Sequence, residues 1–168
     1  GISRYLLQAG VPFSQTYIAT ALNEYPRLAA GLVAAFETRF SPDLPPNGET
    51  REEALEVLYR WLAEQLDAVA SLDHDRILRA FLAVIRAGVR TNAFTGNPTW
   101  ALKLLPSELE MLPEPRPEFE VFTYSPRVHG VHLRFGSVAR GGLRWSDRRE
   151  DFRTEVLGLV KAQMVKNT

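Results

Sequence analysis

The period of the hydrophobic residues changes near residue 99, and this change constrains the possible folds most. Before it, apolar side chains recur every third or fourth residue, as on one face of an α-helix. After it, apolar and polar side chains alternate, as in a half-buried β-strand. The sequence therefore predicts an α+β chain. Residues 1–98 form a helical region, and residues 99–168 form a region that contains a β-hairpin and ends in a helix.

Residues typical of helix N-termini divide the first region into several helices. Ser14 is a candidate N-cap, and Pro26 suits the first turn of the next helix. Thr50 and Glu53 form a capping box, in which each side chain satisfies a backbone N–H of the other residue. Asp73 is the expected cap of a further helix, and His74 beside it is expected to be solvated. The apolar stripe of that helix is Ile77, Leu78, Phe81, Leu82, Ile85 and Val89.

Turn residues and alternation organise the rest. Residues 41–49 and 91–98 are rich in proline, glycine and asparagine and are predicted to be loops. A short strand is expected over 99–105. Phe119, Val121 and Thr123 alternate with Glu120, Phe122 and Tyr124, which predicts one strand. Val131, Leu133 and Phe135 alternate in the same way with their neighbours, so a hairpin of 119–124 with 128–136 is predicted. The last helix is predicted from about Arg149 onward.

Composition excludes several classes of protein. Hydrophobic residues make up 45% and charged residues 24%, which is typical of a globular chain. The formal net charge of zero argues against nucleic-acid or membrane binding driven by bulk charge, and no apolar stretch is long enough to span a bilayer. The absence of cysteine excludes disulfides and thiol catalysis and fits a cytoplasmic location.

The charge is nevertheless unevenly distributed. From Arg127 onward there are nine basic and four acidic residues, whereas the preceding part has 11 basic and 16 acidic residues. One interpretation is a surface mosaic of ion pairs. The other is an electrostatic field that favours an anionic ligand near the end of the chain.

A metal site is not predicted. His129 and His132 are three residues apart on a predicted strand, so their side chains point to opposite faces and cannot easily bind one ion.

The candidate binding residues lie in the last thirty positions. Arg140 precedes Gly141 and Gly142, and glycines allow the backbone to approach a ligand closely. Gln163 and Lys166 lie about one turn apart on the predicted final helix. Two cations separated by an open backbone suit a small molecule with two carboxylates. Taken singly, each feature is also typical of an ordinary turn or a solvated helix face. The acidic residues of the charged run 147–151 suit the start of a helix, so the run is interpreted as structural.

These residues also carry a resemblance to a known family. The segments Arg140–Trp145 and Ala162–Asn167 resemble the substrate-binding core of glutamate dehydrogenases. The string RGGLRWSDRREDFRTEVLGLVKAQ and the preceding stretch Glu118–Phe135 resemble specifically the large bacterial NAD-dependent glutamate dehydrogenases. Residues 99–168 would then be the first part of a truncated, substrate-binding catalytic domain, preceded by the helical region.

The resemblance implies oxidative deamination of L-glutamate to 2-oxoglutarate and ammonia, with NAD bound by a domain absent from this chain. Lys166 would hold the α-carboxylate, and Gln163 would orient the substrate. Arg140 would hold the side-chain carboxylate, where many smaller relatives have lysine. Gly141 and Gly142 would provide backbone contact, and Met164 would line the pocket. The catalytic residues are expected beyond Thr168, so the chain alone is expected to be inactive.

Two alternatives remain open. One is another amino-acid dehydrogenase of the same superfamily, against which Arg140 argues, since relatives acting on apolar amino acids tend to have an apolar residue there. The other is a non-catalytic assembly or regulatory segment, which is plausible for the helices. The full-length enzyme is expected to be a homo-oligomer.

Overall fold

The computed structural model describes residues 1–43, 48–136 and 141–166, with side chains up to Gln163. Within these ranges an α+β fold combines six α-helices with one four-stranded antiparallel sheet, as predicted. The helices are α1 (Ile2–Gln8), α2 (Gln15–Glu24), α3 (Pro26–Phe40), α4 (Arg51–Asp67), α5 (Leu72–Ala87) and α6 (Phe152–Lys166). The strands are β1 (Gly88–Thr91), β2 (Trp100–Leu104), β3 (Phe119–Tyr124) and β4 (His129–Arg134). None of the helices in the described ranges is both long and apolar enough to cross a membrane.

Three helix starts are confirmed. The Ser14 hydroxyl accepts a hydrogen bond from the Tyr17 N–H at 3.1 Å, and Pro26 occupies the first turn of α3. Thr50 and Glu53 form the predicted capping box: the Thr50 N–H donates to the Glu53 carboxylate at 2.9 Å, and the Thr50 hydroxyl accepts from the Glu53 N–H at 3.2 Å. These caps satisfy backbone donors that have no partner inside the helix.

The predicted start of α5 was wrong. Ser71, not Asp73, caps this helix, and its hydroxyl accepts from the His74 N–H at 3.3 Å. His74 is buried rather than solvated, because its ring packs against those of Tyr17 and Tyr25. Packing against Tyr17 and Tyr25, beside the Glu24 carboxylate at 3.5 Å, therefore determines its position more than the neighbouring cap does.

The predicted end of α5 was also wrong. The helix ends at Ala87, and Val89 lies in β1, which pairs with β2 from Gly88 opposite Leu104. The Gly88 carbonyl accepts two hydrogen bonds from the Arg39 guanidinium, at 2.9 and 2.8 Å. A Cβ on Gly88 would lie 2.6 Å from the Phe40 ring, so any larger residue at this junction would require the ring to move.

The sheet is a meander in the order β1-β2-β3-β4, in which each strand pairs with its neighbour in the chain. The predicted strand over 99–105 and the predicted hairpin are confirmed as β2, β3 and β4. One face of the sheet carries the fully buried Leu102, Leu104 and Phe122. α1 packs on that face, where the Tyr5 and Phe122 ring centroids are 5.4 Å apart.

Helices and sheet share one hydrophobic core. The same buried cluster contains Leu62 of α4 and Ile85 of α5 together with the sheet residues Leu104 and Phe122. The division of the chain at residues 98 and 99 stays a prediction.

Candidate functional site

The two glycines of the candidate site lie in an exposed segment between the sheet and α6. Residues 141–151 have no regular secondary structure apart from a turn immediately before the helix. A Cβ built on Gly141 or Gly142 would meet nothing within 4 Å, so the space beside this backbone is open. Arg140 lies outside the described residues.

Side-chain contacts tie this segment to α6. The Arg144 guanidinium donates to the Glu155 carboxylate at 2.9 Å, and the Ser146 hydroxyl donates to the other oxygen of the same carboxylate. Closer to the helix, Arg148 pairs with Asp151 through its Nε at 2.8 Å. The Arg148–Asp151 pair agrees with the structural role predicted for the run 147–151. The two glycines thus begin an irregular segment that side-chain contacts attach to α6.

These contacts stabilise the charged forms of the carboxylates. The hydrogen bond from Ser146, followed by that from Arg144, lowers the pKa of Glu155 below its ordinary value. The Arg148 guanidinium likewise lowers the pKa of Asp151. A carboxyl group with a lowered pKa in the folded state favours folding above its unfolded pKa, and this contribution is lost as the pH falls through the folded pKa.

We therefore expect acid to loosen the anchor of the glycine segment. As the pH falls below about 4.5, the ordinary glutamate value, the Tm of the chain should fall, and Glu155→Gln should make this fall less steep. Thermal unfolding from pH 7 to pH 3 measures the effect. Glu64→Gln, on the exposed surface of α4, is the matched control. An identical acid dependence in both variants would contradict this role of Glu155.

The end of α6 carries the remaining candidates. Gln163 is exposed, and Leu159, one turn earlier on the same face of α6, is 51% exposed. Gln163 lies about 12 Å along the helix from the anchor at Glu155, given a rise of about 1.5 Å per residue. The backbone of Met164 and Lys166 continues the helix, while their side chains lie outside the described part of the chain.

The start of α6 contains a feature that was not predicted, a buried ion pair. Arg153 is 1% exposed and Glu120 of β3 is fully buried. The guanidinium donates from two nitrogens to the two carboxylate oxygens, each at 2.8 Å. This planar, two-bond geometry is the strongest arrangement available to an arginine and a carboxylate.

Burial and charge act on this pair in opposite directions. Burial disfavours the charge of Arg153, but the hydrogen bonds and negative charge of Glu120 outweigh it, so the pKa of Arg153 is raised. Burial raises the pKa of the neighbouring Tyr5 hydroxyl well above its ordinary value, and the charge of Glu120 adds to this effect. Arg153 therefore remains charged and Tyr5 remains neutral.

Gln8, the last residue of α1, joins the same cluster. It is 3% exposed. Both polar atoms of its side-chain amide form hydrogen bonds to the backbone around the start of α6. The amide nitrogen donates to the Arg149 carbonyl at 3.0 Å, and the amide oxygen accepts from the Arg153 N–H at 3.1 Å. The Arg153 N–H belongs to the first turn of α6, so Gln8 caps that helix from a distant part of the chain.

Part of this cluster could have been inferred from the sequence. Glu120 alternates in register with Phe122, and a charged residue on an apolar strand face needs a partner. Arg153 and the buried Leu157 are four residues apart and mark the inward face of α6, whereas Val156 and Val160 are only half-buried. The sequence gives no comparable indication that Gln8 contacts α6, because 145 residues separate it from Arg153.

No group of three or more histidine or acidic side chains in the described ranges could hold a metal ion. His129 is half-buried beside Tyr124, with ring centroids 4.8 Å apart, while His132 is exposed.

Comparison with known proteins relates both the helices and the sheet to one family. A family model described as "Bacterial NAD-glutamate dehydrogenase, catalytic domain" matches residues 61–168. Another, described as "Glutamate dehydrogenase, helical motif 3", matches residues 1–42.

Three bacterial relatives are each named NAD-specific glutamate dehydrogenase. The protein of Mycobacterium tuberculosis is 52% identical, that of Pseudomonas aeruginosa 50% and that of Halomonas elongata 49%, each over 98% of this chain. The chain spans about a tenth of the length of these relatives, 10% to 11%.

The matches assign the chain to a dehydrogenase family, and the residues that match the helical motif share one hydrophobic core with those that match the catalytic-domain model. The chain belongs to the bacterial NAD-glutamate dehydrogenase family. The family expected from the segments around residues 118–167 is thereby confirmed.

Proposed function

We propose that the protein to which this chain belongs converts L-glutamate to 2-oxoglutarate and ammonia and passes the hydride to NAD. The observation that carries this proposal is the match of residues 61–168 to the catalytic domain of this family. The relatives' shared name, NAD-specific glutamate dehydrogenase, supports the same substrate and the same acceptor.

Within this activity, α6 and the glycine segment form the substrate-binding surface. Lys166 binds the α-carboxylate, Gln163 orients the amino acid, and Met164 lines the pocket. Arg140 binds the distal carboxylate as a planar fork. The open space beside Gly141 and Gly142 supports backbone contact with the substrate.

The ion pairs of the described residues support this division of roles. Arg144, Arg148 and Arg153 each contact a carboxylate of the chain itself, namely Glu155, Asp151 and Glu120. The positive charge near the end of the chain is thus partly balanced internally. Arg140 and Lys166, whose side chains lie outside the described part of the chain, are proposed to bind the two carboxylates of glutamate on the family resemblance.

The features typical of a dinucleotide-binding domain are not seen in the described residues. Their only sheet is antiparallel, and Gly141-Gly142 lacks the spacing of the dinucleotide fingerprint, which follows a strand and opens a helix. We assign NAD binding to another part of the longer protein. We also propose a cytoplasmic location and a homo-oligomeric assembly for that protein.

Lys166→Met in the full-length enzyme tests the site. Loss of a charge-assisted contact to the α-carboxylate costs on the order of 1.5–3 kcal/mol, so kcat/KM for glutamate should fall roughly ten- to a hundred-fold. The KM for NAD should change little. The measurement is the initial rate of NADH formation with each substrate varied in turn.

Lys161→Met, five residues earlier on the exposed surface of α6, is the matched control and should leave kcat/KM for glutamate nearly unchanged. An unaltered kcat/KM in Lys166→Met would remove Lys166 from the site. If the unmodified full-length protein formed no NADH with glutamate, the proposed reaction itself would be wrong.

A further inference from the structure

We propose that Gln8 is a positioning residue, which holds the start of α6 and thereby sets the position of the glutamate-binding end of that helix. This inference rests on the proposed function of α6. It gives the upstream helical motif, which includes α1, an indirect role in substrate binding, through the position of α6.

The first step of the argument is the chemistry of the Gln8 amide. The amide donates to the Arg149 carbonyl and accepts from the Arg153 N–H, on either side of the first residue of α6. Of the uncharged side chains of this length, only glutamine offers both a donor and an acceptor. Since Gln8 is buried, water cannot replace either bond without opening the contact.

The second step is that the contact is continuous with the buried pair. The same residue, Arg153, presents its backbone N–H to Gln8 and its guanidinium to Glu120 of β3. The helix start is therefore held at two points, by α1 through the backbone and by the sheet through the side chain. Together the two contacts restrict how far the first turn of α6 can shift or tilt.

The third step is the length of the helix beyond this point. Lys166 lies about 20 Å along the axis from Arg153, at about 1.5 Å per residue. Over that length, a tilt of only about 3° displaces the far end by about 1 Å, and misplacement by about 1 Å can reduce catalysis about a hundred-fold. A small change at Gln8 is therefore amplified at the proposed substrate site.

Gln8→Met in the full-length enzyme tests this inference, because methionine has a similar length but makes neither hydrogen bond. We expect the KM for glutamate to rise about tenfold, within the range that misplacement produces, with the KM for NAD unchanged. Gln15→Met is the matched control, because Gln15 donates to Ser3 between α1 and α2, away from α6. It should leave both constants nearly unchanged. If folded Gln8→Met enzyme kept its KM for glutamate, or raised both constants equally, the inference would be overturned.

A double variant separates positioning from a general loss of stability. If Gln8 acts through the lysine at the helix end, Gln8→Met should raise the KM by no more than about twofold once Lys166→Met is present, because coupled residues are not additive. Effects that multiply in the double variant would show that Gln8 does not act through Lys166.

Hydrogen exchange gives a reading that does not depend on the reaction. Exchange of the amide protons over residues 153–157 should be faster in Gln8→Met than in Gln15→Met, because opening of the helix start exposes these N–H groups. Unchanged exchange would overturn the positioning role even in an active enzyme. Faster exchange in a protein without glutamate activity would leave the positioning role standing and count against the proposed function alone. If Gln8→Met does not fold, Gln8→Glu, which keeps the oxygen facing the Arg153 N–H, replaces it and should show a smaller change in the same direction.

Discussion

Arg153→Met should destabilise the chain by about 3–5 kcal/mol, the usual cost of leaving one charge of a buried pair without its partner. Glu120 is fully buried, and both of its carboxylate oxygens accept hydrogen bonds from Arg153 at 2.8 Å. Chemical denaturation of the 168-residue chain measures the loss as a lower free energy of unfolding.

Two further variants show whether the loss comes from the unpaired charge. Adding Glu120→Leu to Arg153→Met should recover most of the stability, because apolar pairs often replace buried ion pairs without loss. Arg79→Met, which removes an exposed arginine paired with Asp67 and Asp75, should cost no more than about 1 kcal/mol. A double variant as unstable as Arg153→Met would show that packing, not charge, dominates at this position.

Arg140→Leu should change the substrate preference of the full-length enzyme. Glutamate and norvaline share the α-amino acid head group and differ in the distal carboxylate. Removal of one partner of a desolvated charge pair costs about 2–5 kcal/mol, and an apolar side chain does not meet this penalty. The ratio of kcat/KM for glutamate to that for norvaline should therefore fall by at least about thirtyfold, the equivalent of about 2 kcal/mol.

Arg144→Leu is the matched control for this experiment. Arg144 is four residues further on and pairs with Glu155, so its loss should affect both substrates to the same extent. The melting temperature of each variant shows whether the fold is intact. A ratio that stays constant in folded Arg140→Leu enzyme would assign recognition of the distal carboxylate to other residues of the longer protein.

The local features of the fold were predictable because their causes lie close together in the sequence. The capping box of Thr50 and Glu53 spans three residues, and the β3–β4 hairpin follows from alternation around one turn. The errors at Asp73 and Val89 have a different origin. At both ends of α5, contacts with other elements decide the structure: a pocket of tyrosines around His74, and a pairing of β1 with β2.

The candidate site likewise combines features that could be predicted locally with features that depend on distant residues. The glycine pair and the polar face of α6 could be identified from a contiguous string of residues, and their roles in binding stay predictions. The Glu120–Arg153 pair could be predicted only in part, since the strand pattern does not show which of its two faces is buried. Gln8 could not be predicted, because its bonds to Arg149 and Arg153 depend on how α1 docks against the sheet.

The Gln8 contact also has a consequence for the order in which the protein acquires structure on the ribosome. Among the described residues, each strand pairs with its neighbour in the chain, so these pairings can form soon after synthesis. The hydrogen bond between Gln8 and Arg153 can form only after 145 further residues have been synthesised. At about 5–20 residues per second, that delay is roughly 7–30 s. During this interval the nascent helices and sheet can assemble while the proposed substrate helix does not yet exist. The proposed substrate-binding surface is thus completed last, on helices and a sheet that can already have formed.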